Sequence, residues 1–214
     1  MHRLSTNLFA NMGWSLMSLL VIGIALASSR YFTLNPAVYF PEQRAVYTAH
    51  TLAILGHISG SLVALLLGPF QFLPRLRRQR WLGIHRWSGR VYLIGITVGG
   101  LFGLYVAQMA YGGVITHLGF TGLALFWLYT GYQAYRAIRR GDIQTHKRWM
   151  FRNYAATFAA VTLRLWLPLS MALGIDFTLA YRTIAWLSWV PNVLIIEWWL
   201  QQRQPLPRKV LQYQ

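Results

Sequence analysis

Long apolar stretches separated by short polar segments dominate this chain of 214 residues. A hydrocarbon core about 30 Å thick is crossed by a helix of about 20 apolar residues. Six stretches qualify, at about 12–29, 48–72, 90–111, 113–135, 153–174 and 180–200. The strict alternation that marks membrane-spanning strands is absent. The pattern therefore predicts an all-α integral membrane bundle of six transmembrane helices.

Composition supports this fold class and excludes several kinds of chemistry. The chain is 56% hydrophobic and 11% charged, with a mean hydropathy of +0.38, which is too apolar for an ordinary soluble domain. The absence of cysteine excludes disulfides, cysteine-ligated clusters, thiol catalysis and covalent c-type haem. No carboxylate pair, nucleophile–base motif or phosphate loop is present, so the sequence offers nothing for a hydrolase or an NTPase.

The positive charges lie mostly on one side of the predicted bundle. Sixteen of the twenty Lys and Arg residues share that side, namely Arg3, the clusters 75–90 and 136–152, Arg203, Arg208 and Lys209. By the positive-inside rule this side is cytoplasmic, which places both termini in the cytoplasm. The net charge of +16 then reflects contact with anionic lipid headgroups rather than with nucleic acid.

The chain is predicted to form a single membrane domain, 1–214, with three parts. These are the first helix and outer loop (1–47), a duplicated four-helix core (48–174), and the last helix with a cytoplasmic tail (175–214). The run from Leu16 to Ala27 also resembles a signal peptide with a cleavage site after Ala25-Leu26-Ala27. We favour retention of this helix, and cleavage would leave the core unchanged.

The core contains an internal repeat that positions four histidines. His57 and His85 are 28 residues apart, and His117 and His146 are 29 residues apart. The string Arg-Trp-x-x-Arg-x-Tyr follows the second histidine of each copy, at 86–92 and at 148–154. Such a unit is able to build two symmetric histidine pairs, although a repeat is also explained by a shared way of anchoring helices.

Helix geometry sorts the histidines into an outer pair and an inner pair. At 1.5 Å per residue, His57 and His117 lie about 13 Å and about 6 Å below the outer ends of their helices. His85 and His146 lie at the inner starts of theirs. Histidines within the membrane are candidates for function, and two imidazoles on opposite faces suit a haem iron or another metal. The alternatives are a hydrogen bond to a neighbouring helix for the outer pair and lipid phosphate for the inner pair.

Several other side chains could support such a site. Arg90 and Arg152 are suited to haem propionates or an anionic substrate. Arg164, deep in the fifth helix, could face a propionate or a quinone oxygen, or extend outward to the headgroups. Glu197 is expected to pair with an inner arginine. Glycines at 56, 60, 95, 99 and 103 predict close helix packing, or room beside a flat cofactor.

Motifs in order along the chain carry a resemblance. They are His57, Gly68-Pro69-Phe70-Gln71-Phe72, His85-Arg86-x-x-Gly89-Arg90-Val91-Tyr92, Gly141-Asp142, His146, Trp149 and Thr162-Leu163-Arg164-Leu165. Over about residues 48–170 the chain resembles a family of predicted bacterial membrane proteins catalogued as a domain of unknown function. That resemblance implies a location in the inner membrane of a bacterial cell. The layout of the core is also similar to cytochrome b561, in which four helices hold two haem b groups. That resemblance implies His57, His117, His85 and His146 as the ligands.

The leading interpretation is a b-type di-haem protein that transfers electrons across the membrane, with a quinol as a candidate partner. Such a protein would be a membrane oxidoreductase. The alternative is a non-redox membrane protein, either a small transporter or a component that binds anionic lipid through its inner arginines. A histidine metal site at the inner face is a third hypothesis.

Overall fold

A computed structural model describes the backbone of residues 2–203 and the side chains of residues 12–203. It contains nine α-helices within this range: α1 (His2–Ser29), α2 (Pro41–Ala49), α3 (Thr51–Gln71), α4 (Leu82–Ala107), α5 (Val114–Arg139), α6 (Ile143–Thr157), α7 (Ala159–Ala172), α8 (Phe177–Leu187) and α9 (Val190–Gln202). No strand occurs in the described part of the chain. Three of the sixteen basic residues predicted for the cytoplasmic side have side chains outside the described residues, namely Arg3, Arg208 and Lys209.

Six segments are long and apolar enough to cross a membrane, which confirms the predicted all-α bundle. Helices α1, α3, α4 and α5 supply one span each, whereas α6 with α7 and α8 with α9 supply the last two. We call the end of the bundle with the basic loops the inner end and the opposite end the outer end. Helices α4 and α6 begin earlier than the apolar stretches at 90 and 153. Hydropathy marks only the hydrocarbon part of a helix, and the charged first turns continue beyond it.

Helices α3 and α4 pack backbone to backbone, which explains the glycines they carry. A Cβ added to Gly60 would lie 2.3 Å from the Gly99 nitrogen and 2.5 Å from the Gly95 oxygen. Residues with side chains would force the two helices apart. The glycine spacing therefore serves close packing, as small residues do where no hydrophobic force drives helices together in lipid.

A buried polar network joins α4, α5 and α6 in the middle of the bundle. Asn153 donates to the Trp127 carbonyl at 2.8 Å and to the Thr130 hydroxyl at 2.9 Å. Trp127 Nε1 donates to the Thr157 hydroxyl at 2.8 Å. The Tyr92 hydroxyl completes the network and is fully buried. These mutual bonds satisfy the buried polar groups within the bundle.

The last two spans are interrupted at facing positions. The helical ladder stops at Phe158 between α6 and α7, and at Ser188 and Trp189 between α8 and α9. Asn192 bridges the interruptions by donating to the Ser188 carbonyl at 2.9 Å and to the Ala155 carbonyl at 3.4 Å. The Thr162 hydroxyl also donates to the Ser188 carbonyl. Side-chain donors thus satisfy carbonyls that the broken helices leave open.

The outer connection between α1 and α3 forms a cover of aromatic side chains. Tyr31 stacks on Tyr39 with ring centroids 5.6 Å apart, and Tyr47 of α2 packs edge-on against Tyr39 at 5.3 Å. Glycine and proline mark two other helix ends. Gly112 and Gly113 adopt φ values of +100° and +76° between α4 and α5, and α3 ends just after Pro69.

Candidate functional site

A cavity of about 420 Å³ lies in the outer half of the bundle, beneath the aromatic cover. Its volume falls within the range of small-molecule and cofactor sites. Part of the wall consists of small residues, namely Gly99, Gly100, Gly103, Ala107, Ala124, Ala156, Ala159 and Ala160. These residues leave a mostly apolar space between α3, α4, α5 and α7, into which a few polar side chains reach.

His57 lines this cavity in a defined orientation. Its Nδ1 lies 2.8 Å from the Gly99 carbonyl oxygen. Because a carbonyl oxygen only accepts, Nδ1 carries the hydrogen and Nε2 keeps a lone pair. Nε2 has no hydrogen-bond partner in the described part of the chain. A Cβ on Gly103 would lie 2.9 Å from Nδ1, so glycine there makes room for the ring. A hydrogen bond from one ring nitrogen to a backbone carbonyl is a common way for proteins to orient a ligating imidazole.

Arg164 reaches the same cavity from α7. Its Nη1 donates to the Ala160 carbonyl at 3.0 Å. The ion pair found among residues 12–203 joins Arg152 to Glu197, so Arg164 has no carboxylate partner in that range. Arg30 also lines the cavity at its outer end. Two guanidinium groups without a counter-ion favour an anionic or acceptor-rich ligand.

Another feature of the cavity favours the same kind of ligand. Tyr47, from α2 outside the spans, also lines it. Burial, assisted by neighbouring Tyr181 and Tyr31, raises the pKa of the Tyr47 phenol well above its ordinary value. That phenol therefore stays neutral and able to donate a hydrogen bond.

The structure separates the two predicted outer ligands. His117 does not line the cavity, and its Nε2–H donates to the Ala110 carbonyl at 2.9 Å at the outer end of α4. His57 is the seventh residue of α3, whereas His117 is the fourth of α5, one turn nearer the outer surface. Joint ligation by His57 and His117 stays a prediction.

The inner histidines lie near each other. His85 and His146 are each the fourth residue of their helices, α4 and α6, and the two rings are close enough to interact electrostatically. His146 Nδ1–H donates to the Ala134 carbonyl at 2.9 Å, while the buried Nδ1 of His85 has no partner among the described residues. No third His, Cys, Asp or Glu joins them as a metal ligand in that part of the chain.

The two copies of the repeated string have different surroundings. Arg152 forms a two-pronged ion pair with Glu197 of α9, with Nη2 to Oε2 at 2.8 Å, so Glu197 does pair with an inner arginine. Arg90 instead lies over the Trp87 ring at 5.3 Å and has no carboxylate partner among residues 12–203. Neither arginine lines the outer cavity.

Sequence reasoning missed part of the cavity lining. Arg30, Tyr31 and Tyr47 come from a connection that hydropathy separates from the spans, and Tyr181 comes from α8. The only signal for them is the concentration of tyrosines in and beside the outer loop.

Six apolar spans built around this cavity define a multi-pass helical membrane protein. The family model described as "Predicted membrane protein (DUF2306)" matches residues 54–200, and the chain belongs to this family. No curated protein and no solved structure matches the chain. The matched range includes all but the first six residues of the predicted four-helix core (48–174) and nearly all of the sixth span.

Proposed function

We propose that this protein is a b-type haem protein that transfers electrons across the bacterial inner membrane. The observation that carries the proposal is His57, whose Nδ1–H is bound to the Gly99 carbonyl while Nε2 remains free beside the cavity. Neutral imidazoles held this way are haem ligands in many proteins. The positive-inside distribution of charge supports cytoplasmic termini.

The residues around the cavity fit haem b in three respects. The glycines and alanines in the wall would leave room for a flat ring, and His57 would supply a ligating nitrogen. Arg164 and Arg30 are available to hold two propionates near the outer end. Met109 is a further lining residue whose sulfur could ligate haem iron, and His117, which does not line the cavity, is the candidate that the repeat suggests. Bound haem would supply a one-electron ferric–ferrous couple.

The inner histidines are the candidates for a second haem. His85 and His146 come from different helices and lie near each other, and the His146 ring is oriented by Ala134. Two haems at different depths would let electrons cross the bilayer in two steps. A membrane quinol is the class of reductant that such a protein would use.

The decisive experiment is an oxidised and dithionite-reduced absorption spectrum of detergent-purified protein made with ample haem supply. We expect a Soret band, sharp reduced α and β bands, and up to two haems per chain. His57→Ala should remove the haem at the cavity and spare the other. His50→Ala is a matched control, because His50 contacts Tyr105 and does not line the cavity. Colourless folded wild-type protein, or full haem content in His57→Ala, would refute the proposal.

A second candidate is a small transporter for an amphipathic anion. The observation that favours it is the interruption at Phe158 between α6 and α7, whose flanking residues line the cavity, because transporters often place substrate sites where helices are discontinuous. Arg164 would then bind the anionic group. This candidate predicts a colourless protein. A fatty acid, used as the probe, should protect the wild-type protein against thermal unfolding and should protect Arg164 variants less.

A further inference from the structure

The inner half of the bundle has a groove that the haem proposal does not use. It lies between α5, α6 and α9 and has a volume of about 380 Å³. Its lining combines aromatic and basic side chains, namely Phe126, Tyr129, Thr145, Arg148, Trp149, Arg152 and Glu197. The groove is separate from the outer cavity and shares no lining residue with it.

The charges in the groove leave one cation without a partner. Arg152 is neutralised by Glu197 and also lies over the Trp149 ring at 4.7 Å. Arg148 is half-buried and has neither a hydrogen bond nor a carboxylate partner among residues 12–203. Its guanidinium is therefore available for an anion, and the planar fork of arginine suits two phosphate oxygens.

A hydroxyl group lies in the same groove. The Tyr129 oxygen accepts a hydrogen bond from Gln133 Nε2 at 3.2 Å, which leaves the phenol hydrogen available to a ligand. Tyr129 also packs edge-on against Trp149 at 5.6 Å. Arg148 and Tyr129 together offer charge and a directed donor to one anionic group.

The depth of the groove matches a phospholipid. Arg148 is the sixth residue of α6, about 8 Å along the axis from its inner start. Phe126 and Tyr129 lie further toward the middle of the bilayer on α5, about 15 to 20 Å from its inner end. A phosphate beside Arg148 would thus leave its acyl chains to run past Phe126. We propose that this groove is a binding site for one anionic phospholipid of the inner leaflet, recognised by Arg148.

The test is native mass spectrometry of the full chain released from detergent with phosphatidylglycerol, phosphatidylcholine or inorganic phosphate. We expect wild-type protein to retain one phosphatidylglycerol and to bind phosphatidylcholine at least tenfold more weakly. Arg148→Gln should lower phosphatidylglycerol retention about tenfold, and Arg148→Lys should restore part of it. Arg139→Gln removes the same charge from an exposed inner position outside the groove and should retain the lipid.

Three results would overturn the assignment. Equal retention by Arg148→Gln and wild type would show that the lipid binds elsewhere. Equal loss in Arg139→Gln would show a general effect of inner charge rather than a site. Binding of inorganic phosphate without phosphatidylglycerol would show a site for a free anion. Thermal unfolding of each variant establishes that it is folded, and haem content is read separately, so this proposal does not depend on the haem assignment.

Discussion

The side chains of Tyr92 in α4 and Asn153 in α6 are both fully buried and are joined by a 2.7 Å hydrogen bond. Tyr92 closes one copy of the repeated string, whereas Asn153 precedes the equivalent Tyr154 in the other. The hydroxyl also lies 3.2 Å from that of Thr157. A polar contact in the hydrocarbon region therefore connects the two halves of the core.

Tyr92→Phe should lower the stability of the bundle by about 1 kcal/mol, because it leaves the Asn153 oxygen without its donor. The measurement is thermal unfolding in detergent. Tyr132→Phe is the control, since Tyr132 is 60% exposed and removal of its hydroxyl should leave the melting temperature unchanged. Equal melting temperatures for all three proteins would mean that the buried network contributes no net stability.

The ion pair between Arg152 and Glu197 should stabilise the packing of α9 on α6. Its side chains are 15% and 32% exposed, so removing one partner leaves a partly buried charge. We expect Arg152→Gln and Glu197→Gln each to be destabilising and the double variant to be less so than their sum, with a coupling of about 1 kcal/mol. Arg90→Gln, the equivalent change in the other repeat, should have little effect. If the stability losses of the two single variants add up to that of the double variant, the two side chains do not interact directly.

Gly60→Ala should disrupt the contact between α3 and α4, because the new Cβ would meet the backbone of Gly99. We expect a loss of about 1 to 3 kcal/mol from overpacking. The displacement would also loosen the bond between Gly99 and His57, so haem content should fall with stability. Gly23→Ala in α1 is the control, since nothing lies within 4 Å of its added Cβ. Unchanged stability in Gly60→Ala would refute the close-packing role.

The spans were predictable because hydropathy reports directly on burial in hydrocarbon. The end of α3 at Pro69 and the turn at Gly112 were predictable from the backbone preferences of proline and glycine. The interruption at Phe158 was not predictable in this way. No glycine or proline marks it, and it depends on Asn192, which reaches an α6 carbonyl from a helix 34 residues further along the chain.

The candidate site was likewise predictable only in part. His57 was identified by its position deep in an apolar stretch. Its hydrogen-bond partner is the backbone carbonyl of Gly99, and no pattern of side chains predicts a contact with a carbonyl group. Repeat spacing suggested His117 as a second outer ligand, yet spacing along the chain does not fix the rotation of one helix against another. His117 therefore lies outside the cavity lining while Arg30 and Tyr47, from the outer connection, lie within it.

The absence of cysteine makes the proposed orientation directly testable with single introduced thiols. Ala37→Cys lies in the exposed outer connection and Gln79→Cys in the exposed basic loop before α4. With the basic loops in the cytoplasm, a membrane-impermeant maleimide should label Ala37→Cys in intact spheroplasts and Gln79→Cys only after permeabilisation. The wild-type chain is the background control because it has no thiol to react. Labelling of Gln79→Cys in intact spheroplasts would reverse the orientation and place the cavity on the cytoplasmic side, where an electron donor would approach it from the cell interior.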